Sequence, residues 1–158
     1  MAIEKVKEFF RAYGKEGDIR EFPVSSATVE LAAQAVGVIP ARIAKTLSFK
    51  VGEECVLIVA AGDARIENHK YKEQFGTKAK MLTPEEAFAF TGHTVGGVCP
   101  FALPETGVKV YTDASLQRFE TVFPACGSSN SAIELTCEEL FSYSGSRGWI
   151  DVCKGWNE

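Results

Sequence analysis

The stretch Ile43-Ala44-Lys45-Thr46-Leu47-Ser48-Phe49-Lys50-Val51, then Gly52-Glu53-Glu54, then Cys55-Val56-Leu57-Ile58-Val59-Ala60-Ala61, carries the clearest fold signal in the chain. Two apolar runs rich in strand-forming residues flank a short glycine-containing turn, so they read as a buried β-hairpin. Just upstream, Pro40 permits at most one further helical turn before the first of these strands. Before it, Ser25 to Gly37 offers a serine N-cap, an alanine-rich apolar face and a terminal glycine, the marks of a helix. Ile3, Val6, Phe10 and Tyr13 recur at helical spacing and predict an opening helix stopped by Gly14, followed by a short strand around Ile19 to Phe22.

Downstream of the hairpin, Thr83-Pro84-Glu85-Glu86 places a cap, a proline at the first helical position and a glutamate three residues after the cap, ahead of Ala87-Phe88-Ala89-Phe90 and Gly92. That is another helix. Strands are expected at Val108 to Thr112, Thr121 to Ala125 and Ala132 to Thr136, and Thr136-Cys137-Glu138-Glu139 repeats the capping pattern to start a short helix. The strands are not separated by regular helices, which disfavours a doubly wound parallel sheet. The expected fold is α/β of the α+β type: a mixed, curved sheet or partial barrel flanked by helices.

The 158 residues, 46% hydrophobic and 24% charged, have ordinary globular composition and contain no long polar linker. One domain spanning 1–158 is expected, able to bury about two thirds of its unfolded surface without a disulfide or metal. Met1 to Lys7 alternates charged and apolar residues and lacks a continuous apolar run, so a cytoplasmic protein with no membrane partner is expected. Cys55, Cys99, Cys126, Cys137 and Cys153 show no CxxC spacing, and His69 and His93 fall in no metal-binding pattern. No cofactor or metal is expected. The net charge of −4 gives no field that would gather nucleic acid, DNA included, so any such contact must be local. The one basic stretch runs from Arg65 to Lys80, and a solvated helix face accounts for it as a charge run.

Lys45 stands at the mouth of an apolar strand. An ammonium is costly to desolvate, so one held there should meet an anion, a carbonyl or other backbone acceptors. An edge-strand lysine that snorkels outward fits the same spacing. Val95-Gly96-Gly97-Val98-Cys99-Pro100-Phe101 is a loop whose glycines permit close backbone approach and whose proline fixes the exit, either to present amides to a ligand or simply to turn. Cys126-Gly127-Ser128-Ser129-Asn130-Ser131 is a second loop, rich in short donors and acceptors, that could line a polar pocket or turn the chain. It is neither a phosphate-binding P-loop nor a GxSxG elbow. Cys99 and His93, six residues apart, would suit a thiol hydrolase if they met in space, but no orienting third group is identifiable.

Taken together, these motifs resemble the YbaK and prolyl-tRNA synthetase insertion-domain family of aminoacyl-tRNA deacylases. The likeness rests on Thr28 to Val36 with Gly37-Val38, on Ile43-Ala44-Lys45-Thr46-Leu47, on Thr91 to Pro100 with its GxxxP pattern, and on Ala125-Cys126-Gly127 through Ile133-Glu134-Leu135. It runs from about Phe22 to Leu140. The resemblance implies metal-independent trans-editing hydrolysis of a small amino acid from mischarged tRNA, with the aminoacyl 3′ end of tRNA as partner and a synthetase as a further one. A non-catalytic module binding aminoacyl-tRNA or a synthetase through the same pocket and the Arg65 to Lys80 stretch is the alternative. It implies Lys45 as the catalytic group, and Phe22, Thr46, Gly96, Gly97, Pro100, Gly127, Ser128, Ser129 and Asn130 around the substrate. Two positions depart from the family pattern. Ala132 stands where several members have an aspartate, and Phe22 where some cysteine-specific members have a tyrosine, so the amino acid accepted is left open.

Overall fold

The computed structural model describes residues 2–94 and 96–156. Val95, part of the glycine loop picked out from the sequence, lies outside the described residues, as do Met1, Asn157 and Glu158. In chain order the elements are α1 (Ala2–Arg11), β1 (Arg20–Glu21), α2 (Val29–Val36), β2 (Ile43–Val51), β3 (Glu54–Ala61), β4 (Arg65–Ile66), α3 (Asn68–Phe75) and α4 (Pro84–Thr91). There follow β5 (Val108–Asp113), β6 (Thr121–Pro124), β7 (Ser131–Ala132), β8 (Leu135–Thr136), α5 (Cys137–Ser144), β9 (Trp149–Ile150) and β10 (Cys153–Lys154).

The hairpin is the centre of the sheet. β2 and β3 pair antiparallel from Ala44 opposite Ala61 to Val51 opposite Glu54, turning at Gly52 with φ +62°. A six-stranded mixed sheet grows from it in the order β8-β6-β2-β3-β5-β9. β6 joins β2 in parallel, with Ile43 opposite Phe123, and β5 joins β3 in parallel, with Val56 opposite Lys109. Every residue of β3 from Cys55 to Ala61 is buried, because this strand has sheet neighbours at both edges and cover on both faces. On one side α1 packs Ile3, Val6 and Phe10 inward, Phe10 meeting the Phe101 ring edge-on at 4.8 Å. On another, Ala32 and Ala33 of α2 pack against Ile43 and Phe123.

Several boundaries differ from the sequence expectation, each for a local reason. α1 ends at Arg11, and Tyr13 lies in the following turn, where Lys15 N donates to Phe10 O and Gly14 takes φ +71°. The cap of α2 is Thr28, whose hydroxyl accepts from Leu31 N at 3.2 Å, and not a serine. The expected strand Ala132 to Thr136 is two short strands. Ser131 and Ala132 pair with β1, and Leu135 and Thr136 pair with β6. The break falls at Glu134, whose carboxylate turns out to accept from Thr121 Oγ1 at 2.6 Å and to face Arg42 and Arg20. The capping boxes at Thr83 and Thr136 are both present.

The strands near the C-terminus had no counterpart in the sequence reading. β9 and β10 are held through a buried acceptor, Asp113, which takes hydrogen bonds from Ser115 N and Val152 N, both at 3.0 Å.

Candidate active site

A cavity of about 270 Å³ opens beside the N-terminal half of β2. The loop Ser26 to Thr28 and the first turns of α2 form one wall. Met81 to Pro84 and Ala87 of α4 form another, while Gly96, Phe123, Ala125 and Ala132 close the end. Among the described lining residues Lys45 is the one with a charge, and no carboxylate, histidine or cysteine joins it. The rest of the lining is apolar, apart from a few serine and threonine hydroxyls.

Lys45 faces Ala60 across the hairpin and is half-buried. Its ammonium donates to the carbonyl of Ala64 and, at 3.4 Å, to that of Gly62. The cation therefore meets backbone acceptors, the arrangement that desolvation demands. Burial pulls its pKa below the ordinary lysine value, partly opposed by the negative charge of Asp63. The loop that holds it is itself tied down: Arg118 donates to both carboxylate oxygens of Asp63, at 3.0 and 2.6 Å, and to Trp156 O at 2.9 Å. Asp63 is held below the usual carboxylate range by that guanidinium.

The two small-residue loops meet. A Cβ on Gly97 would lie 2.9 Å from the backbone of Ser128, and one on Gly96 would lie 3.1 Å from Ala27 Cβ. Ser129 O accepts from Ser26 N at 2.6 Å, and Asn130 O accepts from Phe22 N at 2.8 Å, while the Asn130 amide donates to Phe22 O at 3.1 Å. Ser128 Oγ lies 2.9 Å from Asn130 Oδ1 and 2.7 Å from Ser131 Oγ.

Of the residues singled out from sequence, Lys45, Thr46 and Gly96 line the cavity. Phe22, Gly97, Pro100, Ser128, Ser129 and Asn130 are not in its lining, and Ser129 reaches it only through its carbonyl bond to the lining residue Ser26. Gly127, at φ +90°, is turned toward α1, where a Cβ would lie 3.1 Å from Ala2 and Val6. Ser131, the last residue of the serine-rich loop, lines the cavity too, while Ser26, Phe123 and the segment Met81 to Pro84 belong to the lining but were not singled out. Ser26 had a signal: once Thr28 caps α2, the serine is released from that duty. Its hydroxyl is buried in the lining with no hydrogen-bond partner among the described residues.

Cys99 and His93 do meet, Sγ to Nε2 at 3.5 Å, but deep in the core and outside the cavity. Burial pushes the Cys99 thiol up to about 12 and holds the His93 imidazole below its ordinary value, and His93 Nε2 lies 2.9 Å from Phe101 O. A neutral thiol with no path to solvent is not a nucleophile. Among the described residues no three histidine, cysteine or acidic side chains are placed to hold a metal ion, and no helix is long and apolar enough to cross a membrane.

The curled mixed sheet that carries this lysine-bearing cavity is the fold of an aminoacyl-tRNA editing domain. Residues 24–143 match the model of that family, and the chain belongs to it. Among individual proteins it is similar to the uncharacterised Bacillus subtilis protein YwhH, at 55% identity over 99% of both chains. It is also similar to the proline–tRNA ligase of Thermotoga maritima, at 26% identity over 71% of this chain and 20% of the ligase. The fold matches the crystal structure of a candidate trans-editing enzyme for prolyl-tRNA synthetase, with a TM-score of 0.86, 28% identity and 98% of each chain covered.

Proposed function

We propose that this protein, acting as one domain, hydrolyses the ester bond of mischarged aminoacyl-tRNA and removes a small amino acid. The observation that carries this reading is the cavity of about 270 Å³ with Lys45 as its charged lining group. Ligand cavities usually start at about 300 Å³. One of this size suits an aminoacyl group and part of a ribose, and leaves the rest of the tRNA outside. Size selection by a methylene is worth about 1–3 kcal/mol, which is why a separate site for a small side chain is useful.

The bond to be broken is an activated ester, so water or the neighbouring ribose hydroxyl serves as the attacking group and no protein nucleophile is needed. Lys45, freed from one of its two carbonyls, orients the ester and polarises its carbonyl. An amide donor to the developing oxyanion is worth about 3 kcal/mol in other enzymes. Gly97 N–H is engaged by Thr94 O at 3.0 Å, so Gly96, which lines the cavity, is the donor assigned here. The family membership and the trans-editing neighbour support this reading.

The experiment offers a panel of correctly and incorrectly charged tRNAs to the wild type and to Lys45→Ala. Hydrolysis of one mischarged species, lost in the variant, is expected. If no aminoacyl-tRNA is hydrolysed faster than in buffer, the enzymatic reading is refuted, and binding without turnover would mark the protein as a non-catalytic module.

A further inference from the structure

The chain is acidic overall, and many of its cations are tied to carboxylates: Lys15 to Glu139 at 2.9 Å, Lys70 to Asp151 at 3.0 Å, Arg118 to Asp63 at 2.6 Å. Seven lysines break this pattern among the described residues: Lys5, Lys45 and Lys154, and a further four. Lys50, Lys72, Lys78 and Lys80 have no carboxylate within ion-pair distance among the described residues. They are also close together. Lys72 and Lys78 line a shallow hollow of about 440 Å³ with Asn68 and His69, and Lys80 O accepts from Lys50 N at 2.8 Å.

The strip leads to the cavity. Beyond Lys80 the chain runs along β2, with Met81 bridging to Phe49 and Leu82 N donating to Ser48 O at 3.1 Å, and Met81 and Leu82 then line the cavity that holds Lys45. Of the carboxylates nearby, exposed Glu85 in the first turn of α4 makes no ion pair among the described residues, and two others are engaged. Glu73 faces His69 at 2.9 Å, and Glu86 accepts from Thr83 N at 2.9 Å in its capping box. On the α2 side of the cavity the charge is the opposite, with exposed Glu30 in the first turn of that helix.

We propose that Lys50, Lys72, Lys78 and Lys80 dock the phosphate backbone of the tRNA whose aminoacylated end occupies the cavity. This rests on the deacylase reading for the identity of the polyanion. The cavity is too small for more than the end of the substrate, so the remainder must lie on its rim, and of the two rims described the Met81 side is the one a strip of four lysines leads to, outnumbering Glu85 and Glu86 of α4. Lysine supplies point charges suited to a phosphate backbone without base readout, so the contact is insensitive to sequence.

The test is a titration of uncharged tRNA against wild type and the triple variant Lys72→Gln/Lys78→Gln/Lys80→Gln at several salt concentrations, with Lys109→Gln as a control that loses only its Glu54 pair. Each phosphate contact contributes about 0.7–0.9 to the slope of log affinity against log salt. The triple variant is expected to lose about 2 or more of that slope, and Lys109→Gln none. In deacylation the loss should be carried by KM. Unchanged melting of the triple variant checks that it is folded. An unchanged slope overturns the docking proposal whether or not the protein is a deacylase, whereas a lysine-dependent slope with no turnover on any charged tRNA supports docking and refutes the activity.

Discussion

Gly97→Ala is the substitution that most directly tests whether the two small-residue loops make the site. An added Cβ would sit 2.9 Å from the N, Cα and C atoms of Ser128, where ordinary contact begins at 3.4 Å. The obstruction is main chain, with no rotamer to move away, so about half an ångström must be found by parting the loops. Overpacking of this kind costs about 1–3 kcal/mol. At about 2–4 °C per kcal/mol for a domain of this size, the melting temperature should fall by about 2–12 °C. The loop that moves carries Ser131 and holds Ser26 through Ser129 O, so both hydroxyls shift. Misplacement of 1 Å can cost on the order of 100-fold in rate, and a loss of at least tenfold in kcat/KM is expected. Gly17→Ala is the control, because a Cβ there meets nothing within 4 Å. Thermal melts followed by circular dichroism and deacylation time courses on the same preparations give both readouts. If Gly97→Ala melts within about 1 °C of Gly17→Ala and keeps full turnover, the loop contact does not build the site.

Ser26→Ala removes a buried hydroxyl that has no protein partner, so stability should hold or rise slightly, by up to about 1 kcal/mol, while KM for the charged tRNA increases. An unchanged KM would show that Ser26 does not touch the substrate. Asp63→Asn weakens the Arg118 clamp on the loop whose carbonyls hold Lys45 and should lower kcat with a stability loss of no more than about 1 kcal/mol, as measured by turnover and urea unfolding. A kcat equal to wild type would remove the clamp from the site's design. Burial keeps the folded pKa of His93 below its unfolded value, so below about pH 6.5 the unfolded chain takes up a proton that the folded chain refuses. Stability is therefore full above about 6.5 and declines as pH falls toward the folded value, and His93→Gln should flatten that part of the urea-unfolding profile. An identical pH profile in the variant would contradict the assignment.

Much of the fold was legible because its elements carry local signals. The hairpin Ile43 to Ala61 announces itself by composition, and Thr83 and Thr136 announce their helices by a cap and a glutamate three residues on. The break between β7 and β8 was hidden because it depends on where the Glu134 carboxylate finds partners, on Thr121 and Arg42, residues distant in the chain. β9 and β10 were hidden for a related reason: they are short, and one buried aspartate fixes them. At the site, Lys45 could be singled out because a cation at an apolar strand's mouth is conspicuous. Met81 and Phe123 are ordinary residues that become a cavity wall only through tertiary packing.

The parallel pairing of β2 with β6 also sets an order of events during synthesis. The hairpin β2–β3 joins residues close in sequence and can form as soon as it emerges from a ribosome, whereas Ile43 must wait for Phe123, and the end of the cavity for Ala132. Lys45 is thus made early and stays on an unfinished, half-uncovered sheet until roughly the last quarter of the chain arrives. A nascent or truncated chain lacking that segment would expose the apolar floor of the Lys45 cavity, so the surface proposed to receive substrate is also the one most in need of protection before folding ends.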